Sequence, residues 1–452
     1  MSAERRTIAQ LARALRSRDV TAEAVTDQCL AVIAERNASL NAFITVLADT
    51  ALEEARRADR EIAAGRYRGP LHGVPISLKD LIDVKGTPTT AASRVREGHV
   101  AAADAPVVTR LREAGAVIIG KTNLHEFALG TTNEDSARGP ARHPLDPARS
   151  PGGSSGGSAA SVLADMAYAS IGTDTGGSIR IPSAACGLVG LKPTIGEIPA
   201  AGIVPLSSTL DHVGPLCRSV EDAGIVYDVL RDATPGGERE PRGVEGFRLG
   251  VLRGYFTAVL DPQVASAFER ACARLRDAGV TLQDVDVPHA GDIAPIYVHI
   301  VLSEAAAYHA KTLDSHGNEY TPNVRHRLEM GRYILAEDYV RALRGREVLL
   351  SEVDAALAGC DGLFLPSVPI PAHRIGVSSV RIGGADEPIR NVTLRLTQLF
   401  NVTGHPAVTV PCGSTPEGLP IGAQLAGRRS GTSALLDLAG ALEPHLGPGT
   451  SR

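Results

Sequence analysis

The sequence of 452 residues contains no tryptophan, and aromatic residues make up only 4% of it. Proteins that bind single-stranded nucleic acids stack the bases on aromatic side chains, so this composition argues against such a surface. Basic residues are not in excess either, because 46 Lys and Arg stand against 51 Asp and Glu, which gives a net charge of −5. Neither nucleic acid nor an anionic membrane surface is therefore an expected partner.

Long apolar runs and paired cysteines are also missing. No run of 18 apolar residues occurs, and the opening MSAERRTIAQL lacks the apolar centre of a signal peptide, so no membrane association is expected. The six cysteines are scattered and form no CxxC pair, which predicts reduced core thiols in a cytoplasmic protein. The sequence has no HExxH motif and no close His/Asp cluster, and we expect neither a metal nor a cofactor.

The pattern of apolar residues predicts helices that alternate with short strands. Thr7 and Gln10 form a capping-box pattern at the first helix, and a second helix begins near Thr21. Further helices are expected over 50–64, 105–114 and 262–279 and over most of 300–358. Strands are expected in GVPISLKDLIDV, AVII, GFRLGVL, GLFLPSVPI, PAVTVPCG and IGAQLAG, and either a strand or a helix end in ADMAYASIGTDTGG. This alternation predicts the α/β class, with a mixed β-sheet covered by helices on both faces.

The domain organisation follows from the same pattern. We expect a single domain over 1–452, because strand-like segments return late in the chain and can complete one sheet. Its catalytic sheet core is expected to comprise 65–230 and 360–430, with 262–358 as a helical excursion packed on it. The polar segment 232–242, DATPGGEREPR, is the clearest surface connection.

Two short motifs point to chemistry that their context does not support. The segment 115–122, GAVIIGKT, matches the phosphate-loop pattern, but its variable positions are those of a strand and a helix precedes it. The segment 152–156, GGSSG, matches the GxSxG pattern of α/β-hydrolases, but the lead-in HPLDPARSP contains three prolines and is no strand. Neither a nucleotide site nor a Ser-His-Asp triad is expected.

Three longer segments make a more specific pattern together. They are GVPISLKDLID with Lys79, PGGSSGGSAAS with Ser154, and GTDTGGSIRIPSAACGLVGLKPT with Ser178. Together they resemble the amidase signature family, closely over about 70–220 and more weakly over most of the chain. A Gly/Ser tract followed by Gly-Thr-Asp-x-Gly-Gly-Ser-x-Arg is long, so a chance match is far less expected than for the two short motifs.

The resemblance implies that Ser178 is the acylated nucleophile, that Ser154 relays its proton and that Lys79 is the base. Serine is a poor nucleophile unless a base removes its proton, and a lysine can serve as that base when it is neutral. An exposed lysine has a pKa of about 10.4, and burial can lower it to about 7. Lys79 follows the apolar run VPISL, so we expect burial. We expect Asp80 and Asp83 to point away, since a facing carboxylate would raise the pKa of Lys79.

The glycines near the two serines have expected roles of their own. The family carries a cis peptide before the relay serine, here at 153–154, and glycine reduces steric conflict in such a turn. The resemblance also implies that backbone N–H groups hold the oxyanion of the reacting carbonyl. The implied oxyanion and substrate-binding residues are Ala128, Thr175, Gly176 and Gly177, together with the N–H of Ser178.

Several other polar residues near these segments are expected to be structural. Asp174 and Arg180 flank the nucleophile and predict an ion pair that fixes its loop. Cys186 is expected in the core rather than as a rival nucleophile. His72 and His125 are expected to have structural roles.

The resemblance implies cleavage of a non-peptide carboxylic amide to an acid plus ammonia or an amine, but it does not identify the substrate. EFALGTTNEDSARGP looks like the glutamine-hydrolysing subunit of the tRNA-dependent amidotransferase, whereas PLSSTLDHVGP and YTPNVRHRLEMGRYI look more like stand-alone amidases. A hydrolase of ureide-type substrates, such as allophanate or carboxybiuret, is a further alternative. We expect a stand-alone enzyme for a small-molecule amide, and the sequence leaves open whether it forms a homodimer.

Glutamine is a zwitterion, so its pocket needs both an acid and a base. Candidates in 300–345 are Glu304, Arg325 and Arg332, although no pattern fixes them as a clamp. The late segment 391–408 contains no acidic residue, which favours an uncharged or arylated amide. An apolar wall for such a substrate, or else ordinary helix core, is predicted at Leu394, Leu396 and Leu399.

Overall fold

The computed structural model describes residues 6–233 and 243–447. The helices are α1 Ile8–Ser17, α2 Ala22–Leu40, α3 Ala48–Ala63, α4 Pro106–Glu113, α5 Gly156–Leu163, α6 Arg180–Cys186, α7 Val220–Leu230, α8 Pro262–Asp277, α9 Ile293–His316, α10 Pro322–Gly331, α11 Ala336–Ala356, α12 Ile389–Leu394, α13 Gln398–Val402 and α14 Thr432–Leu446. The strands are β1 Phe43–Val46, β2 Pro75–Lys79, β3 Val117–Thr122, β4 Ala169–Asp174, β5 Val189–Lys192, β6 His212–Cys217, β7 Arg248–Leu252, β8 Thr281–Val285, β9 Gly362–Pro366, β10 Ser379–Ile382, β11 Ala385–Pro388, β12 Ala407–Ser414 and β13 Pro420–Ala426.

One large mixed sheet organises the described part of the chain. Eleven strands follow the order β1-β3-β2-β4-β6-β5-β12-β13-β9-β7-β8, and β10 and β11 form a separate hairpin. The pairs β2–β3, β2–β4, β7–β8 and β7–β9 are parallel, and the other neighbours are antiparallel. The late strands β12 and β13 lie between β5 and β9, so the end of the chain joins the two halves of the sheet.

Both faces of the sheet are covered, which confirms the predicted fold class. Successive side chains of a strand point to opposite faces. In β9, Phe364 belongs to an apolar cluster with residues of α1–α4, α7, α8 and α14. Its neighbours Leu363 and Leu365 belong to a second cluster with residues of α9–α11 and α13. The sheet therefore separates two apolar cores.

Local signals in the sequence explain several element boundaries. Thr7 caps α1, and the reciprocal bonds of a capping box with Gln10 are present as predicted. Thr21 caps α2 through its side chain. The segment resembling a phosphate loop forms the buried strand β3, as expected from its apolar residues.

The helical excursion expected over 262–358 contains a strand. Residues Thr281–Val285 form β8, which pairs in parallel with β7 at the edge of the sheet. The polar, half-exposed sequence TLQDV does not alternate clearly, so only its pairing with β7 makes it a strand. The continuous helical part begins with α9. Of the predicted surface connection 232–242, residues 234–242 lie outside the described residues.

Candidate active site

Lys79 lies at the end of the interior strand β2, between β3 and β4. All five residues of PISLK are buried, because parallel strands flank them on both sides and helices cover the sheet. The side chain of Lys79 is fully buried. Its Nζ donates to Ser154 Oγ at 2.7 Å and to Thr173 Oγ1 at 2.8 Å. These two contacts bring together three segments that are separate in the sequence, namely those of Lys79, Ser154 and Thr173.

The surroundings of Lys79 disfavour its charged form. Burial lowers the pKa of Lys79 to about 7, although the charges of Asp174 and Asp211 oppose the shift. Asp80 points away, as expected, because its carboxylate lies 2.9 Å from Lys121 Nζ. Asp83 is not among the charges that shift the pKa of Lys79. An amine that is partly neutral near pH 7 can accept a proton.

The Gly/Ser tract 150–161 is not a linker but a buried turn that leads into the first residues of α5. The peptide bond between Gly153 and Ser154 is cis, as the resemblance implied. A Cβ atom on Gly153 would lie 2.7 Å from the backbone nitrogen of Asn133, so only glycine fits against that loop. The helix α5 begins directly after this turn. Ser154 is thereby held at the start of a buried helix, with its hydroxyl against Lys79.

Ser178 lies in the loop between β4 and α6, and its side chain is almost fully buried. The N–H of Ser155 donates to the carbonyl of Ser178 at 3.2 Å, so the two serine segments are in direct backbone contact. The hydroxyl of Thr397 donates to the carbonyl of Gly176 at 2.5 Å. The nucleophile loop is thus attached to the Ser154 turn on one side and to the segment between α12 and α13 on the other.

A buried ion pair shapes this loop. The carboxylate of Asp174 accepts the N–H groups of Gly177 at 2.8 Å and of Ile179 at 3.1 Å. Arg180 donates to the same carboxylate at 3.0 and 3.1 Å, and it also donates to Asn401 Oδ1 at 2.6 Å. Burial alone would raise the pKa of Asp174, but the charge and hydrogen bonds of Arg180 outweigh it and hold this pKa below its usual range. The geometry fits the expected structural pair.

The expected oxyanion donors are not equivalent. The N–H of Gly177 already donates to Asp174, so it is not free for a substrate oxygen. Within the described residues, the N–H groups of Gly176 and Ser178 have no protein acceptor. Ala128 ends a 3₁₀ turn with φ +60, and its N–H donates to the carbonyl of His125 at 2.8 Å. Ala128 can therefore offer its carbonyl, but not its N–H, to a ligand.

Comparison with known proteins identifies the family. The family model described as Amidase matches residues 24–436. The chain belongs to the amidase signature family. An amidase of Pseudomonas putida is 43% identical over 432 residues, which cover 92% of this chain and 91% of that protein. Amide hydrolysis, the reaction predicted from the sequence, is confirmed as the reaction class of this chain.

Two further relatives bear on the branch of the family. A glutamyl-tRNA(Gln) amidotransferase subunit from Koribacter versatilis is 36% identical over 473 residues, covering 96% of this chain and 97% of that protein. A crystal structure described as an amidase superposes with a TM-score of 0.93 at 36% identity, covering 98% of this chain and all of that one. Both the stand-alone amidase and the amidotransferase alternative are compatible with these similarities.

The clamp candidates in this amidase are already occupied. Glu304 accepts hydrogen bonds from Ser207 and Thr209 and from Tyr339. Arg325 pairs with the carboxylate of Glu329, and Arg332 pairs with that of Asp314. Among the predicted leucines, Leu394 lines a cavity, whereas Leu396 and Leu399 are fully buried in the core. The prediction of an apolar wall therefore fits only the first leucine.

Three residues next to the site were not found from the sequence. Thr173, which contacts Lys79, precedes Asp174 within the signature segment and could have been noticed there. Tyr297 of α9 lies against the nucleophile loop, because a Cβ atom on Gly176 would be 2.5 Å from its hydroxyl. Arg390 of α12 acts electrostatically on Tyr297. The last two come from helices without a motif, and only the tertiary structure brings them together.

The described residues were also searched for a cysteine nucleophile, a metal site and a membrane-spanning helix. Cys186 is fully buried, and burial raises the pKa of its thiol, so it is not a ready nucleophile. No three His, Cys, Asp or Glu side chains within 6–233 and 243–447 come together in a way that could hold a metal ion. Among the same residues, no helix has the length and apolarity needed to cross a membrane.

Proposed function

We propose that this amidase cleaves a small, non-peptide carboxylic amide through an acyl intermediate on Ser178, with Ser154 as proton relay and Lys79 as base. The contact between Lys79 Nζ and Ser154 Oγ, at 2.7 Å in a fully buried position, carries the proposal. A buried lysine that meets hydroxyl groups and contacts no carboxylate is poorly suited to structural ion pairing. It is well suited to accepting a proton.

The first half of the reaction transfers a proton along the three residues. Neutral Lys79 accepts the proton of Ser154, which accepts the proton of Ser178 as the Ser178 oxygen attacks the carbonyl carbon. The carbonyl π electrons move to oxygen, and the N–H groups of Gly176 and Ser178, with that of Thr175, stabilise the resulting oxyanion. We leave Gly177 out of this donor set because Asp174 holds its N–H.

The second half releases the two products. The proton held by Lys79 returns through Ser154 to the leaving nitrogen, the C–N bond breaks, and ammonia or an amine departs. Water then attacks the acyl-Ser178 carbonyl while the same base accepts its proton. The bond between the acyl carbon and Ser178 Oγ breaks, the proton returns through Ser154 to Ser178, and the acid leaves. The carbonyl of Ala128, which accepts no protein hydrogen bond among the described residues, is available to the amide N–H of the substrate.

Replacement of the nucleophile tests this mechanism. We expect Ser178→Ala to fold and to lose at least about 10³-fold in kcat on a panel of amides, because covalent catalysis is lost. Ser183→Ala is the matched control, since Ser183 is also buried but lies in α6. A fluorophosphonate should label wild type and Ser183→Ala at Ser178. Near wild-type turnover by Ser178→Ala, or labelling of another serine, would show that the assignment is wrong.

We also infer that the enzyme acts without obligate subunits. The P. putida amidase is more similar to this chain than the K. versatilis amidotransferase subunit, which supports the stand-alone branch. The absence of acidic residues from 391–408 supports it as well. The chain expressed alone should release ammonia from simple amides faster than from glutamine. Activity on glutamine only, or only with partner chains and tRNA, would favour the amidotransferase alternative.

The cellular setting is inferred from the cysteines. All six are free and buried, which supports a reducing, cytoplasmic environment. Unchanged activity and thermal stability in millimolar reductant would agree with this, and a loss of either would speak for a disulfide that matters.

A further inference from the structure

The nucleophile loop is held by contacts along its length. Thr397 donates to the carbonyl of Gly176, and the N–H of Ser155 donates to the carbonyl of Ser178. Thr175 is the first residue after β4, and two glycines follow it. Glycine adopts many backbone conformations, so these two positions cannot fix the direction of their own N–H groups. The side chain of Thr175 is therefore the last one through which the protein can orient the loop before the glycines.

The carboxylate of Asp211 contacts this side chain. Thr175 Oγ1 donates to Asp211 Oδ1 at 2.6 Å. The other carboxylate oxygen, Oδ2, accepts the N–H groups of Leu206 at 2.9 Å and of Ser207 at 3.1 Å. Asp211 directly precedes β6, which is the antiparallel neighbour of β4. The two backbone donors orient the carboxylate and leave Oδ1 for Thr175.

The loop that precedes β6 also has an anchor of its own. Glu304 of α9 accepts the hydroxyl groups of Ser207 at 2.6 Å and of Thr209 at 2.7 Å, and it accepts the N–H of Thr209 at 3.1 Å. The hydroxyl of Thr175 makes no hydrogen bond within the described residues other than the one to Asp211. The loop before β6 thus has a second carboxylate to hold it, whereas Thr175 has only Asp211.

Asp211 lies near the reacting groups without contacting the base. Burial lowers the pKa of Lys79, and the charges of Asp174 and Asp211 oppose this shift. Among the described residues, however, Lys79 Nζ contacts Ser154 and Thr173 and makes no ion pair with Asp211. The carboxylate of Asp211 is therefore placed to act on the loop rather than on the proton relay.

We propose that Asp211 is a positioning residue that fixes the nucleophile loop through the hydroxyl of Thr175, so that the N–H groups of Gly176 and Ser178 meet the reacting carbonyl oxygen. The inference rests on the proposed function of Ser178. A hydrogen bond to a carboxylate is stronger than one between neutral groups. A misplacement of about 1 Å near a reacting centre can cost about 10²-fold in rate. Loss of this bond should slow the chemical step and leave substrate binding nearly unchanged.

Two variants remove the bond from opposite ends. Asp211→Ala and Thr175→Val should each lower kcat by about 10- to 100-fold and change KM by less than about threefold. The double variant should lie no more than about threefold below the slower single one, because both changes remove one interaction. Thr175→Ser keeps the hydroxyl and should keep at least about a third of the wild-type kcat. Rates are compared at pH 8.5, because the pKa of Lys79 is about 7 and removal of the Asp211 charge can only lower it.

Conservative and distant variants serve as controls. Asp211→Asn should keep kcat within about fivefold, because the Thr175 hydroxyl can accept from the amide instead of donating. Asp222→Asn in α7 also removes a carboxylate that accepts a backbone N–H, that of Ala9, and it should leave kcat unchanged. Urea unfolding shows which variants are folded, and the Thr175 variants decide if Asp211→Ala is not. Equal losses in Asp211→Asn and Asp211→Ala would mean that the charge acts by itself, and would overturn the proposal.

A transition-state analogue separates the proposal from the mechanism. The probe is the aldehyde with the acyl group of the best amide, such as butyraldehyde for butyramide. The Ser178 hydroxyl adds across its C=O bond, and the former carbonyl oxygen takes the oxyanion position. Asp211→Ala and Thr175→Val should raise the inhibition constant by about the factor by which they lower kcat.

The outcomes for Asp211 and for the proposed function differ. If wild type hydrolyses amides but these variants keep kcat or the inhibition constant within about threefold, the role of Asp211 is wrong and the mechanism stands. A loss that falls on KM alone has the same meaning. If wild type hydrolyses no amide, or if Ser178→Ala keeps wild-type turnover, the proposed function itself is wrong.

Discussion

Lys79 and Lys121 are two fully buried lysines on neighbouring parallel strands, β2 and β3. Lys121 Nζ lies 2.9 Å from a carboxylate oxygen of Asp80 and donates to Pro88 and Thr89 as well. Among the described residues, Lys79 Nζ contacts only hydroxyl and carbonyl groups and no carboxylate. Asp80, the acid that follows Lys79 in the sequence, thus forms an ion pair with Lys121 instead.

This difference in partners separates a structural lysine from one that can act as a base. An opposite charge in contact with a buried lysine favours the charged form of the amine. Without that partner, burial favours the neutral amine, and the pKa of Lys79 falls to about 7. The position of one carboxylate, that of Asp80, therefore distinguishes Lys121 from Lys79.

The largest expected effect is the loss of activity at Lys79. Lys79→Met keeps the volume but removes the amine, so kcat should fall by at least about 10³-fold while the protein stays folded. Lys79→Arg should also fail, because a guanidinium group stays protonated. Amide turnover and circular dichroism would measure both. An active Lys79→Arg enzyme would rule out the neutral-lysine mechanism.

The matching change at Lys121 should act on stability instead. Lys121→Met leaves the carboxylate of Asp80 buried and unpaired, which should destabilise the protein by about 3–5 kcal/mol. Removal of both charges in Lys121→Met with Asp80→Asn should recover part of that loss. Urea unfolding measures the difference. Equal stability of the single and double variants would mean that Asp80 does not need its partner.

The free energy of unfolding should also depend on pH through Lys79. The pKa of Lys79 is about 7 in the folded chain, and that of an unfolded lysine is about 10.4. The unfolded state therefore binds more protons between these values, so wild-type stability should rise from pH 7 to pH 10. Lys79→Met should lack this rise. The variant should be more stable than wild type at pH 7 by about 2 kcal/mol, after about 2 kcal/mol is subtracted for two lost hydrogen bonds.

Urea unfolding of both proteins at pH 7, 8.5 and 10 would measure this. The burial of Lys79 should not affect the free energy of unfolding above the pKa of the unfolded lysine, and it should lower that free energy most below the pKa of the folded one. Parallel stability curves for wild type and Lys79→Met would show that Lys79 is charged in the folded protein. Lys121→Arg serves as a control that keeps a buried charge on the neighbouring strand.

The smallest expected effect concerns Thr173. Its hydroxyl accepts from Lys79 and so favours the protonated amine. Activity of the wild type should rise with pH through about 7, as Lys79 becomes neutral. Thr173→Val should move this limb to lower pH by a fraction of a unit and change the maximal rate by only a few fold. A shift to higher pH would contradict the direction of this hydrogen bond.

Much of the fold could be predicted from local patterns. Capping residues and apolar periodicity predicted the helices α1 and α2, and apolar runs predicted β2 and β3. The strand β8 was missed, because its half-exposed residues have no clear pattern and it is a strand only through pairing with β7. Short strands of this kind depend on contacts far along the chain.

The sequence by itself determined the signature segments, and with them the family and the three candidate residues Lys79, Ser154 and Ser178. The family and these residues could be recognised because the signature segments are long local patterns, which are visible without any knowledge of tertiary contacts. Tertiary structure alone decided which charges have partners. It placed Ser154 against a lysine 75 residues away and turned Asp80 to Lys121. Electrostatic partners are chosen by three-dimensional packing and burial, and neither is encoded in sequence spacing.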